Sequence, residues 1–176
     1  MEQPSNIVLV PYEPAWPAKF EIIGQQLAVI FPATNCAIEH IGSTAVPGLS
    51  AKPVVDIMLG APDLSYIEIR LVALAKIGFH YVADFTAAMP ERRYFVQPES
   101  YPRSAHLHAV VYDSIFWRDH LQFRDALRKD DGLAQAYVTL KLELAVTYAN
   151  DSWAYADAKS SFIRTALNHA RMTAKH

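Results

Sequence analysis

One stretch limits the fold more than any other: Glu39 to Met58, EHIGSTAVPGLSAKPVVDIM. Ala37 to Ile41 alternates apolar and polar residues, the two-residue period of a half-buried strand. Gly42-Ser43-Thr44 interrupts it with small residues, and Pro47-Gly48 is a turn dipeptide. Pro53 to Leu59 is an apolar run rich in β-branched side chains and reads as a buried strand. One charge, Asp56, breaks that run. A carboxylate on a buried strand is costly unless a metal, a lysine or a donor network compensates it.

The rest of the chain arranges itself around this unit. Ile7 to Val10 reads as a short edge strand ended by Pro11 and Pro14. Phe20, Ile23, Leu27 and Ile30 then recur at helical spacing up to Pro32. Leu64, Ile67, Leu71 and Leu74 mark one helix, with Gly78 as its C′ residue. Strands are expected over Phe79–Val82, Arg92–Gln97 and Ala105–Tyr112, with a loop over Ala83–Glu91. From Asp113 on the pattern is helix alone. Asp113 or Ser114 caps a helix carrying Phe116, His120, Phe123 and Leu127, and Gly132 punctuates it. Leu133, Tyr137, Leu140 and Leu144 mark the next helix. After Asn150-Asp151-Ser152, a third carries Tyr155, Lys159, Phe162, Ala166 and His169. Phe116, Trp117, Phe123 and Trp153 read as core, Asp119, Arg124 and Asp125 as surface pairs, and the tail Met172–His176 as frayed. The sum is an α/β (α+β) chain with a mixed sheet of about five strands over residues 1–112. A helical half over 113–171 packs on it within one domain of 1–176.

The residues HIGSTAVPGLSAKPVVDI resemble the GrpB family of nucleotidyltransferase-like proteins. The likeness continues in the same order through IVLVPYEPAWPAKF (from Ile7), RRYFV (from Arg92), HLHAV (from His106), FRDALR (from Phe123) and YADAKSSFI (from Tyr155). It thus runs along nearly the whole chain. The resemblance implies a nucleotidyltransferase-like fold that holds a nucleotide or other phosphorylated small molecule. Proteins of this kind also occur fused to dephospho-coenzyme A kinase, which brings a ligand or partner near coenzyme A metabolism into view.

Side chains that could carry such chemistry follow from strand parity. Val54, Asp56 and Met58 share a face. A metal-dependent nucleotidyltransferase usually places two carboxylates at such alternating positions, so that they hold two ions about 3.5–4 Å apart. Here Met58 stands at the second, and a thioether is a poor ligand for a hard cation. Glu39, His106 and His108 are the candidate replacements beside Asp56, with His106 and His108 on one face of their strand. Mg²⁺ is the default ion for nucleotidyl transfer, while the histidine pair suits Zn²⁺ or Mn²⁺ better. Gly42, Ser43 and Thr44 are expected to bind phosphate through backbone N–H groups and hydroxyls. Lys52 either joins them or neutralises Asp56. Of Arg92 and Arg93 only one can face the site, and the resemblance favours Arg93, followed by Tyr94. Asp56 and Arg93 are therefore the expected catalytic pair. Lys141, Tyr155 and Lys159, with Tyr94, are candidates to close a phosphate or base pocket, Tyr155 and Lys159 being four apart, but the plainer reading of an amphipathic helix with a snorkelling lysine is preferred for them.

Three functions remain in competition. The chain either binds a nucleotide and transfers a nucleotidyl group with a divalent metal, or keeps only a ligand-binding or interaction role, or is a metal-dependent hydrolase using Asp56, His106 and His108. A formal net charge of −2 argues against general nucleic-acid binding. The single cysteine, Cys36, fits a reducing compartment. The first residues show no secretory pattern and no run is long enough to span a bilayer, so a cytoplasmic protein without membrane contact is expected. Nothing in the sequence specifies a homo-oligomer.

Overall fold

The structure is a computed structural model that describes residues 7–173. The start of the chain and the end of the tail expected to fray lie outside the described residues. A five-stranded mixed sheet is formed by β1 (Ala37–Ile41), β2 (Val55–Ala61), β3 (His80–Tyr81), β4 (Arg92–Gln97) and β5 (Ala105–Val111). The spatial order is β1-β2-β5-β4-β3. Only β2 and β5 run parallel; the other pairs are antiparallel.

Eight helices accompany the sheet among the described residues: α1 (Ala15–Ile30), α2 (Leu64–Glu68), α3 (Leu71–Lys76), α4 (Asp84–Ala88), α5 (Ile115–Lys129), α6 (Asp131–Thr147), α7 (Ser152–Asp157) and α8 (Ser160–Thr173). The apolar stripes of α1, α2 and α3 bury one face of the sheet. Trp16, Leu27, Phe31, Ile67 and Leu74 pack there against Val55, Ile57, Leu59, Phe95 and Leu107. Each fully buried aliphatic or aromatic side chain of this kind contributes roughly 1.5–3 kcal/mol. On the opposite face α5 lays Trp117 over Ile41, Met58 and Val110. Gly60 makes room for it, since a Cβ there would lie 2.8 Å from the indole ring. A third cluster of Val46, Leu49, Leu127 and Tyr137 fixes the loop after β1 to α5 and α6. No helix is long and apolar enough to cross a membrane among the described residues.

Several boundaries depart from the sequence pattern. Instead of an edge strand, Ile7–Val10 forms one bridge, Val10 to Ala51, while the Ile7 amide bonds the Ala149 carbonyl. The helix expected over Leu64–Leu74 breaks at Ile69-Arg70. There the Arg70 guanidinium bonds the Ile30 carbonyl, which the end of α1 leaves unpaired, and lies over the Tyr66 ring. The loop Ala83–Glu91 contains α4, where Phe85 meets Tyr94 edge-on. The break between α5 and α6 falls at extended Asp130, whose carboxylate caps α6, and Gly132 sits inside the first turn. The last helix is two, α7 and α8, parted at Ala158-Lys159. Trp153, expected in the core, is 59% exposed. Arg124 keeps the expected pair with Asp125, at 2.8 Å, but lies partly buried and turned inward onto β1 instead of on the surface.

Candidate functional site

The site starts at the bend after β1. Gly42 has φ +69° and ψ −169°, a conformation open to glycine alone. A Cβ on it would lie 2.6 Å from Asp56 Oδ2. The bend therefore lies directly against the carboxylate on β2. Ser43 opens a single 3₁₀ turn, Ser43–Ala45. Thr44, expected to bind phosphate, faces inward instead: it is buried and its hydroxyl bonds His40 Nε2 at 2.9 Å. His40 in turn stacks on Phe20 and is structural.

Strand register brings the next groups together. Asp56 is paired with His106 across the parallel β2–β5 ladder, and Met58 with His108. His106 Nδ1 lies 3.2 Å from Asp56 Oδ1, and His108 Nε2 lies 3.6 Å from the same oxygen. Arg92 Nη1 donates to His108 Nδ1 at 3.1 Å. A guanidinium only donates, so Nδ1 accepts and the proton of His108 sits on Nε2, facing Asp56. Burial pushes the His108 imidazole down to about 4 against the pull of Asp56, so it is neutral at pH 7. Burial alone would raise the Asp56 carboxyl. The hydrogen bonds from His106 and His108 outweigh it and hold the carboxyl well below the usual carboxylate range. Asp56 is thus an ionised acceptor and His106 carries its proton on Nδ1, with Nε2 free. The Asp56 and His106 side chains keep 30% and 24% exposure, so solvent reaches them.

Lysines from the helical half complete the cluster. Lys141 on α6 is 2% exposed; its Nζ donates to Ser43 Oγ at 3.0 Å and to the Ser50 carbonyl. Burial and the charge of Lys159 push its ammonium down to about 7. Lys52 and Lys159 place Nζ 4.4 and 4.2 Å from the centroid of the buried Tyr155 ring. Burial and Lys52 lower Lys159 to about 8. Tyr137, raised by its own burial, reaches Ser43 with its hydroxyl. Tyr94 stands across from His108 on β4, its ring 5.2 Å from the imidazole.

The structure corrects two further expectations. Neighbours on a strand point to opposite faces, so Tyr94 and Arg93 could not both reach the site. Arg93 lies on the far face and is paired to Glu68 of α2 at 2.6 Å, whereas Arg92 faces His108. Glu39 shares the face of Asp56 but is the cross-strand partner of Met58, and Arg124 of α5 takes its carboxylate at 2.7 Å. The expected ligands therefore do not fit a two-ion Mg²⁺ centre. Met58 is 0% exposed beneath Trp117, Glu39 is already paired, and Asp56 Oδ1 is shared by two imidazoles. Among the described residues no three His, Cys, Asp or Glu side chains are disposed to hold a metal. The donor set does not fit Zn²⁺ or Mn²⁺ either, because both facing nitrogens converge on the carboxylate oxygen itself.

Sequence reasoning missed Arg92, Tyr137, Arg124 and His120, whose ring lies 6.4 Å from that of His108. The parity of Tyr94 was a usable signal for Arg92; the helical residues left none. Two cavities are formed elsewhere on the described residues, and neither is lined by Ser43, Asp56, His106, His108 or the three lysines. One of about 300 Å³ is lined by Phe20, Glu39, His40, Arg124 and Arg128, and one of about 270 Å³ borders His80, Val96 and Arg103.

Comparison with known proteins agrees with this architecture. The family described as GrpB protein matches residues 6–169. The glutamate-rich protein GrpB of Alkalihalophilus pseudofirmus is 29% identical, over 93% of this chain and 95% of its own. A crystal structure of the conserved protein GrpB from Enterococcus faecalis superposes with a TM-score of 0.83. It is 32% identical and covers 96% of this chain and 100% of its own. The Cid1 poly(U) polymerase, solved with Mg and 3′-dATP bound, shares the fold at a TM-score of 0.50. It is 8% identical, over 73% of this chain and 40% of its own.

Proposed function

The chain belongs to the GrpB family, and from that premise we propose that it binds a nucleotide, or a phosphorylated small molecule of similar build, beside the Gly42-Ser43 bend. The observation that carries this reading is the hydrogen bond from Lys141 to Ser43, which joins the helical half to the bend where it meets Asp56. The Ser43 hydroxyl and the ammonium groups of Lys52, Lys141 and Lys159 are the groups that would grip phosphate oxygens. The nucleotidyltransferase-like fold, seen in a polymerase solved with 3′-dATP, supports a nucleotide over other phosphates. Where a nucleotidyl group is transferred, the attacking hydroxyl must lose a proton. His106 suits that role, because Asp56 holds its Nδ1–H and leaves Nε2 to accept. Arg93 has no part in this reading, since Glu68 occupies it on the other face.

Calorimetric titration with the four nucleoside triphosphates and with coenzyme A precursors tests the proposal. Ser43→Ala should weaken the best ligand about tenfold, or about 1.4 kcal/mol. Arg93→Ala should leave its affinity within about twofold, as expected of a residue outside the site. A panel without any binder, with the folded protein verified by its melting curve, refutes the proposal.

A further inference from the structure

The charge around the bend is lopsided. Lys52, Lys141 and Lys159 converge there, and none of them has a carboxylate within ion-pair distance among the described residues. Their neighbours are the Tyr155 and Tyr137 rings, the Ser43 hydroxyl and the Ser50 carbonyl. Rings, hydroxyls and carbonyls orient an ammonium but do not neutralise it. A buried cation without a counter-ion is expensive. Lys141, at 2% exposure, meets that cost most fully. The one acid in reach, Asp56, turns Oδ1 to His106 and His108 and Oδ2 to Gly42.

The acidic side of the site is deficient to match. A two-ion centre needs alternating carboxylates, and the second place is filled by Met58, packed under Trp117 as a core side chain. Glu39, the other acid on that face, is held by Arg124. The cluster therefore gathers three lysines without a paired acid and lacks the second carboxylate of a two-ion centre.

We propose that this site takes the di- or triphosphate group of its ligand as the free polyanion, with Lys52, Lys141 and Lys159 supplying the positive charge that a divalent ion would bring. The inference rests on the phosphate reading above and adds the ionic form of the ligand. Complexation by Mg²⁺ removes two of the charges that the lysines bind, so the metal competes with the protein for the polyphosphate. The preorganised ammonium groups also gain their missing counter-charge from the ligand.

Titration of the full chain with ATP and with inorganic tripolyphosphate, each in EDTA and in excess MgCl₂, tests this. Both probes should bind in EDTA, and saturating Mg²⁺ should weaken them at least threefold. Lys159→Met and Lys52→Met should each weaken tripolyphosphate about tenfold in EDTA while leaving the melting curve cooperative. Binding that appears only with Mg²⁺ overturns the inference and leaves the phosphate reading standing. Absence of binding under both conditions overturns the phosphate reading, and the inference with it. Tripolyphosphate affinity unchanged in both lysine variants also overturns the inference, because the charge would then come from elsewhere.

Discussion

Replacing Lys141 by methionine should stabilise the folded chain while removing its grip on Ser43. The Lys141 ammonium loses its proton near pH 7 instead of 10.5, because burial strips its water and Lys159 repels it. At about 1.4 kcal/mol per pH unit, holding that charge costs at most about 5 kcal/mol. Methionine removes this cost but leaves the Ser50 carbonyl and Ser43 hydroxyl without their donor, a loss of about 1–3 kcal/mol. A net gain of about 2 kcal/mol remains at pH 6, or about 4–8 °C in Tm for a chain of this size. The pH dependence carries a definite sign. Between about 7 and 10.5 the unfolded chain still binds the lysine proton and the folded chain does not, so wild-type stability rises with pH across that window. The advantage of Lys141→Met is therefore complete below pH 7 and gone by about pH 9. Urea unfolding of both proteins at pH 6, 7.5 and 9 measures it. A variant less stable than wild type at pH 6, or a gap equal at pH 6 and 9, would refute the view of Lys141 as a costly buried cation.

Three other outcomes can be checked on the same preparations. Met58→Asp places a carboxylate under Trp117, Ile41 and Val110, so it should lose about 3–5 kcal/mol in urea unfolding and gain no Mg²⁺ affinity by calorimetry. A stable variant that binds Mg²⁺ would contradict the packing described for that residue. Gly42→Ala forces a side chain into a left-handed backbone and within 2.6 Å of Asp56 Oδ2. It should cost about 3 kcal/mol or more, read from the shift of the denaturation midpoint, and a loss under about 0.5 kcal/mol would count against the geometry of the bend. Acid should destabilise the fold early. His40 and His108 are each lowered by burial from 6.5 to about 4, so the unfolded chain binds more protons than the folded one between those values. Stability present above pH 6.5 should fall by up to about 3 kcal/mol for each histidine as pH drops to 4, and Asp56 extends the loss below that. A flat stability profile from pH 7 to 4.5 would show that both imidazoles are solvated.

Local periodicity and the chemistry of single residues determined a good part of this. The two-residue period put Asp56 with Met58, and His106 with His108, on common faces, and the boundaries of β4 were legible from Arg92 to Gln97. The Gly42 bend, the helical stripes and the capping role of Ser114 are also local, because a turn or cap is decided within a few residues. What the tertiary structure decided was absolute parity and partnership. Parity ties Arg92 to Tyr94, but whether that pair or Arg93 faces the histidines depends on which residue of β4 pairs with His108, a cross-strand register that the alternation alone does not encode. Met58 reads in sequence as a missing ligand, and only the placement of Trp117 makes it core. Lys141 and Ser43 meet across 98 positions of chain. Charges carry no periodicity of their own, and a lysine on a helix becomes part of a site only when packing brings its ammonium to a particular oxygen.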